Sequence, residues 1–392
     1  MRKITLGHLD ISPAGKQYVN HVLNSNRLSS GEYTAEFERE FANQHDCKHG
    51  VFTNSGTSSL QIALAALKET YNYKYMDEVI VPATTFIATS NIVIQNGLKP
   101  VFVDVDPHTF NISPIRIFDA LSSKTRCIIP VHLFGLPADM HRIGLIAEKY
   151  KFQIIEDSCE TMFATQRGQT VGSFGDLACF STYVAHLIVG GVGGLVTTND
   201  DKLAEICRSL MAHGRDSIYT NIDQDDSDND DLRRQMIERR FKFDRVGYSY
   251  RCTEMEAAIA LSELERADEN IRIRRENAAT LIQLLADLED RLQLPWIPAN
   301  STHSFMMYPM VLRSGDRDDL LMHLERNGIE TRYLFPLLDQ PVYQRLFPGM
   351  AAKFPVAQHL AKQGFYIGMH QGLKSEDMHY ISDIIHKYFE EQ

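Results

Sequence analysis

His186 stands in Phe180 to Gly194 (FSTYVAHLIVGGVGG), five residues after Ser181 and just ahead of a glycine run, Gly190, Gly191, Gly193 and Gly194. An imidazole moves protons near neutral pH, and glycines permit tight turns and close approach of a ligand. The run has neither the G-x-G-x-x-G spacing nor a GK[ST] ending, so it is not a dinucleotide or phosphate loop of those kinds. One histidine among 15 is usually structural, and its company has to decide.

Three other stretches supply that company. Asn54 to Ser59 (NSGTSS) follows strand-like Gly50 to Phe52 and precedes a helical segment. Backbone N–H groups at such a helix start suit a phosphate, although Ser and Thr are also ordinary N-caps. Ile154 to Thr161 (IIEDSCET) ends a buried strand with Asp157 and, three residues on, Glu160. Asp157 can pair with a protonated ring nitrogen and Glu160 can serve acid–base work; two loop carboxylates capping a helix are the plain alternative. Phe86 follows VPATT at a strand end, where it can stack on a flat group or simply fill the core.

These residues need a scaffold that brings strand ends together. Short apolar runs (Glu78 to Pro82, Lys99 to Val105, Cys127 to Val131, Gln153 to Ile155) alternate with helix-like segments such as Gln61 to Lys68 and Ile87 to Gln95. That alternation predicts an α/β fold, a mostly parallel sheet with helices on both faces, whose ligands sit beyond the carboxyl ends of the strands. Asp104, His132 and Asp157 all fall just after such runs. From Thr253 to about Leu288 the pattern reads as one long helix linking a large domain, residues 1–252, to a smaller α+β C-terminal domain, residues 253–392. Strand-like Phe305 to Leu312 and helix-like Arg317 to Asn327 and Ser375 to Glu391 follow, with Asn327-Gly328 as a helix stop. The acidic run Asp223 to Asp231 reads as a solvated loop.

Composition bounds the function. The chain has 392 residues, 44% apolar and 23% charged, which suits a globular protein with a buried core. A formal charge of −11 argues against general nucleic-acid binding. The six cysteines, at 47, 127, 159, 179, 207 and 252, show no C-x-C or C-x-x-C spacing, so buried free thiols are expected rather than a metal or disulfide framework. No apolar run is long enough to cross a bilayer and the N-terminus has no apolar leader core, so a reduced, cytoplasmic setting is expected.

Taken together, these segments resemble the DegT/DnrJ/EryC1/StrS family of fold-type I enzymes that use pyridoxal phosphate (PLP). The resemblance runs from Leu28 to Ala42 (LSSGEYTAEFEREFA) through NSGTSSLQIALAAL, VPATTFIATSNIV, VFVDVDP, PVHLFG, IIEDSCET, VGSFGDLACFS and MAHGR to VGYSYRCTEMEAAIA. It implies a seven-stranded sheet, a homodimer, and a cofactor held by Gly56, Thr57 and Ser181 at its phosphate. Phe86 would stack on the ring, Asp157 would face its nitrogen and Glu160 its hydroxyl. The family segment F-S-x-x-x-x-K ends in a lysine that tethers PLP covalently; here that position is His186. A histidine there is similar to the nucleotide-sugar 3-dehydratases, as are ED-x-C-E and Phe365 to Gln371 (FYIGMHQ).

The resemblance therefore implies PLP and its amine form, pyridoxamine phosphate (PMP), bound without a covalent tether. It implies a nucleotide-linked 4-keto-6-deoxy sugar as substrate, glutamate as amino donor, and His186 as the base that removes a proton before the C3 hydroxyl leaves. A nucleotide-sugar aminotransferase releasing product by hydrolysis is the alternative, and a non-catalytic binding protein on the same fold a third. Departures are Leu187 where a second histidine stands in the dehydratase, Val192 for an acidic residue, and Ser249 for an asparagine that reaches a neighbouring subunit's phosphate. Ser249 stays among the expected cofactor contacts, with Ser29, Tyr183, His213 and Arg251 as candidate substrate contacts. No metal is expected, nor an iron–sulfur cluster, since the close C-x-C pair of a related CDP-sugar dehydratase is missing.

Overall fold

The computed structural model describes residues 2–216, 230–239 and 241–391. A seven-stranded sheet has the order β1-β9-β8-β5-β4-β2-β3. Its strands are β1 (His49–Thr53), β2 (Glu78–Pro82), β3 (Lys99–Val103), β4 (Thr125–Ile128), β5 (Gln153–Asp157), β8 (Leu177–Ser181) and β9 (Gly194–Thr198). From β8 to β3 every pairing is parallel, and only β9 is reversed, pairing antiparallel with both β1 and β8. A small hairpin, β6 (Thr165–Gln166) and β7 (Gln169–Thr170), lies between β5 and β8 in sequence. β2 and β8 are buried at every residue, which is why they read as unbroken apolar runs rather than as alternation.

Four helices enter the argument early: α1 (Pro13–Ser25), α2 (Glu32–Gln44), α3 (Gly56–Thr70) and α4 (Ile87–Gln95). α3 begins three residues after β1, capped by the Ser55 side chain, which accepts from the Ser58 N–H. It is buried along most of its length and packs on β8, β9 and β5. Its first turn is therefore fixed beside the ends of the central strands.

The expected long linking helix is two helices, Glu254–Leu264 and Ala267–Leu284. Arg266 leaves helical geometry (φ −108°, ψ 7°), and its guanidinium bonds the Asp10 carbonyl (2.8 Å) and the Glu263 carboxylate instead. A second sheet, β10-β11-β13-β12, is antiparallel throughout and comprises β10 (Leu292–Gln293), β11 (Met307–Leu312), β12 (Thr331–Tyr333) and β13 (Gly364–Gly368). Helices Arg317–Arg326 and Ser375–Glu390 border it, and Gly328 (φ 77°) ends the first where the sequence places a stop. The start of the chain joins this unit: the Ile4 N–H donates to the Gly328 carbonyl (2.8 Å), and Ile4 packs in the core with Leu320, Ile367 and Ile381.

Of the acidic run, residues 223–229 lie outside the described residues. Asp230 and Asp231, expected in a loop, open the helix Asp230–Arg239, where the N-terminal dipole favours negative charge. Cys47, Cys127, Cys179 and Cys207 are buried free thiols, and Cys159 and Cys252 are half-buried. Among the described residues no helix is long and apolar enough to cross a membrane. No group of three or more His, Cys, Asp or Glu among them is placed to hold a metal ion.

Candidate active site

Where β5 and β8 end and α3 and α4 begin, a cavity of about 770 Å³ opens toward the small sheet. Gly56, Thr57, Phe86, Asp157, Glu160, Ser181, Tyr183 and His186 all line it. Asp157 and Ser181 are the last residues of two adjacent parallel strands, so the topology itself sets them side by side.

At one end lies the first turn of α3. A Cβ on Gly56 would come within 2.7 Å of Cys159 Sγ and 2.9 Å of Ser181 Cβ, so glycine is what lets this turn sit on the strand ends. Gly193, at φ 136°, meets Thr182 Oγ1 so closely that no side chain fits. The Gly56 and Thr57 N–H groups belong to the helix start, which leaves donors for an anion beside the Ser181 hydroxyl.

Asp157 is buried. Its Oδ2 accepts from Thr89 Oγ1 (2.7 Å), which bonds Thr85 Oγ1 (2.8 Å), and its Oδ1 accepts from the Cys159 N–H (3.3 Å). Burial raises its pKa, against the lowering effect of those hydrogen bonds. Glu156, one residue earlier, points to the other face by strand alternation. There it accepts from the N–H groups of Gly172, Phe174 and Gly175 and from His132 Nε2. His132 Nδ1 accepts from the Ala138 N–H, so this histidine is structural. Asp104 accepts from the N–H groups of Val356 and Ala357, starting the helix Pro355–Gln363.

Glu160 is buried, and its Oε2 accepts from the Phe134 N–H (3.1 Å). Burial pushes its pKa up to about 8, with the nearby Asp157 charge adding to the rise. Near pH 7 this carboxyl holds its proton and is a hydrogen-bond donor. His186 closes a turn, its N–H donating to the Tyr183 carbonyl (2.9 Å). Its Nδ1 is enclosed with no partner. Burial, and then the Arg274 charge, push its pKa down to about 4, so the imidazole is neutral near pH 7. Arg274 is itself buried, bonded to the carbonyls of Phe305, Met306 and Met369.

Phe86 is 56% exposed, which rules out the core reading. Its ring meets the edge of Phe335 at 6.3 Å, and Phe335 stacks on Phe134 at 5.4 Å. Facing this wall, Arg332 and Tyr366 come from the small sheet, Glu330 from the residue just before β12, and Thr5, Leu6 and Gly7 from the chain start. None of these six was singled out from sequence. Arg332 and Tyr366 lie on β12 and β13, too short for alternation to register, although Tyr366 falls in the FYIGMHQ segment.

Ser249, His213 and Arg251 gather outside the cavity. Arg251 Nη2 lies 3.2 Å from His213 Nε2 and 3.4 Å from Ser249 Oγ, and Ser249 pairs with Ala212 by an isolated bridge. Ser29 pairs with Thr253 in the same way, away from the cavity. No lysine lines the cavity among the described residues.

Comparison with known proteins agrees with this fold. A family model, the DegT/DnrJ/EryC1/StrS aminotransferase family, matches residues 10–386. GDP-perosamine synthase of Caulobacter vibrioides is 35% identical over 368 residues, covering 93% of this chain and 92% of its own. UDP-N-acetyl-3-dehydro-alpha-D-glucosamine 3-aminotransferase of Acidithiobacillus ferrooxidans is 34% identical over 371 residues, with coverage of 94% and 92%. Among solved structures, the GDP-4-keto-6-deoxy-D-mannose-3-dehydratase of Escherichia coli with bound hydrated PLP superposes with a TM-score of 0.88 at 26% identity, covering 98% of this chain and all of its own. The relatives' names back transamination better than they back the dehydration expected from sequence.

Proposed function

The chain belongs to the DegT/DnrJ/EryC1/StrS aminotransferase family and is a PLP/PMP-dependent, sugar-modifying enzyme, and we propose that it works on a nucleotide-linked 4-keto sugar with His186 as its proton-transfer residue. The observation that carries this reading is a neutral, unpartnered imidazole in a cavity that no lysine among the described residues lines.

The cavity's residues fit the cofactor: a glycine cradle that a Cβ would fill, an exposed aromatic face, a buried carboxylate and an orphaned imidazole nitrogen. Gly56, Thr57 and Ser181 would hold the phosphate, Phe86 would cover the ring, and Asp157 and Glu160 would meet its nitrogen and its hydroxyl. When bound, the ring supplies an electron sink. Asp157, a buried carboxyl held by Thr89 and the Cys159 N–H, would pair with the ring nitrogen and keep that sink polarised. Glu160, protonated, donates a hydrogen bond without adding a second negative charge beside Asp157. His186 takes up a proton on its imidazole and, once charged, gives it to the departing C3 hydroxyl.

On this reading the product is a 3-deoxy-4-keto sugar, with ammonia released. Glutamate is the proposed amino donor. A homodimer is part of the proposal: Ser29 and the cluster of Ser249, His213 and Arg251 lie outside their own cavity and would serve the neighbouring subunit's, while Tyr183 lines its own cavity and would face the substrate there. The names of the curated relatives favour a second reading, transamination to an amino sugar, in which the absence of a lysine amine makes product release hydrolytic.

The test is to add PLP and glutamate to the purified protein, follow the absorption spectrum, then add 4-keto-6-deoxy sugar nucleotides. Ammonia together with loss of the C3 oxygen by mass supports dehydration. An amino sugar without ammonia establishes transamination. Binding without either product points to a non-catalytic role.

A further inference from the structure

We propose that Arg332 is the carboxylate-anchoring residue of the cavity, that its ligand is the amino donor, and that Glu330 is the counter-ion it exchanges on binding. The identity of the donor rests on the function proposed above; the anchoring does not. Arg332 is the one lysine or arginine among the described residues lining the cavity, against three carboxyl groups, Asp157, Glu160 and Glu330. The anion cradle at α3 is built from backbone N–H groups and a hydroxyl on the large sheet. Arg332 sits instead on β12 of the small sheet, directly across from Tyr366 on β13, and both side chains reach the cavity.

The guanidinium is held but not used up. Nη1 donates to the Thr331 carbonyl (2.6 Å) and Nη2 to Glu330 Oε1 (2.7 Å), which leaves three of its five N–H groups without a partner among the described residues. Glu330 does not depend on Arg332 for its place, because its Oε2 accepts from the Leu6 N–H (3.1 Å). The two side chains are 51% and 32% exposed, so their ion pair is weak and an incoming carboxylate can take Glu330's place at little cost. The planar fork suits a carboxylate bidentately. A nucleotide's diphosphate shares that oxyanion chemistry, and the experiment separates the two.

The PLP-loaded protein is titrated by calorimetry with glutarate, an unreactive dicarboxylate, and separately with GDP and UDP. Arg332→Gln is expected to weaken glutarate about ten- to a hundredfold, as for a lost charge-assisted hydrogen bond, with nucleoside diphosphates changed less than about threefold. Arg332→Lys keeps the charge and falls between, and Glu330→Gln, by removing the competing carboxylate, tightens glutarate. Glutarate binding unaltered in Arg332→Gln, or a loss confined to the nucleoside diphosphates, overturns the proposal. If the wild-type protein takes no amino group from glutamate while glutarate binding still depends on Arg332, the proposed reaction fails and the anchor stands.

Discussion

The two walls of the cavity are built differently. On the large-sheet wall, Asp157 and Ser181 end parallel strands, and Gly56 and Phe86 stand at helix starts, so each side chain is aimed by an element whose end the fold fixes. On the small-sheet wall, Arg332 and Tyr366 rise from antiparallel strands of three and five residues, half-exposed and tied to the chain's own start through Glu330 and Leu6. A wall of buried, hydrogen-bonded groups suits chemistry that needs shifted proton affinities. A half-exposed ion pair suits recognition, where one partner is exchanged. Changes on the first wall should therefore strike kcat, and changes on the second KM.

The largest effect is expected at His186. Replacing it by Asn keeps polarity and approximate size but removes proton transfer, which is worth about 10²–10⁴ in kcat. Cofactor binding, read by absorption, should hardly move, because the imidazole is not part of the phosphate cradle. A kcat within about threefold of wild type, far inside the range for general acid–base catalysis, would remove His186 from the chemistry and break the contrast between the walls. His186→Lys sharpens the same point by supplying the amine the cavity lacks: a covalent, borohydride-reducible PLP adduct is expected in the variant and not in the wild type.

A middle-sized effect is expected one step behind Asp157. Thr89→Val removes the 2.7 Å hydrogen bond to Oδ2 while keeping shape. Losing a hydrogen bond to a buried carboxylate should lower kcat about tenfold and raise the Asp157 pKa further. Thr89→Ser, which restores the hydroxyl, should recover most of the rate; equal losses in both variants would mean that packing rather than the bond matters.

The same contrast explains what could be read without a structure. NSGTSS, IIEDSCET and FSTYVAH are contiguous, and their strand-then-turn pattern marks where a parallel sheet places its ligands, so Gly56, Asp157, Glu160, Ser181 and His186 were legible as a group. Arg332 gave no such signal: GIETRYLF reads like any half-buried strand, and its meaning depends on β12 folding against β13 and facing a different sheet. Thr89 was hidden for another reason, since a hydroxyl in a helix's first turn ordinarily reads as local capping. The break at Arg266 was also invisible, because neither proline nor glycine marks it; it depends on the contact with Asp10, 256 positions away in sequence. Ser249, His213 and Arg251 show a different limit: a single chain places them together but outside the cavity that Asp157 and His186 line.

The smallest effect on rate, and the sharpest on pH dependence, belongs to Glu160. Burial raises its pKa from the ordinary 4.5 to about 8, so the folded cofactor-free protein binds this proton more tightly than the unfolded chain does. Its relative contribution to stability is full below pH 4.5, falls as pH climbs from 4.5 toward 8 while only the unfolded state ionises, and is flat above that. Glu160→Gln carries no titrating proton, yet its amide still accepts from the Phe134 N–H and still donates into the cavity. The variant should match wild type in rate near pH 7 and lose less Tm between pH 5 and pH 8, measured on the cofactor-free protein at the two values (~5 and ~8 bracket the titration). Asp157, Asp176 and Glu263 are also raised by burial and will keep part of the wild-type slope. What decides the matter is the difference between the two slopes: parallel curves would mean that Glu160 is ionised in the folded protein, leaving two negative charges beside the ring's place.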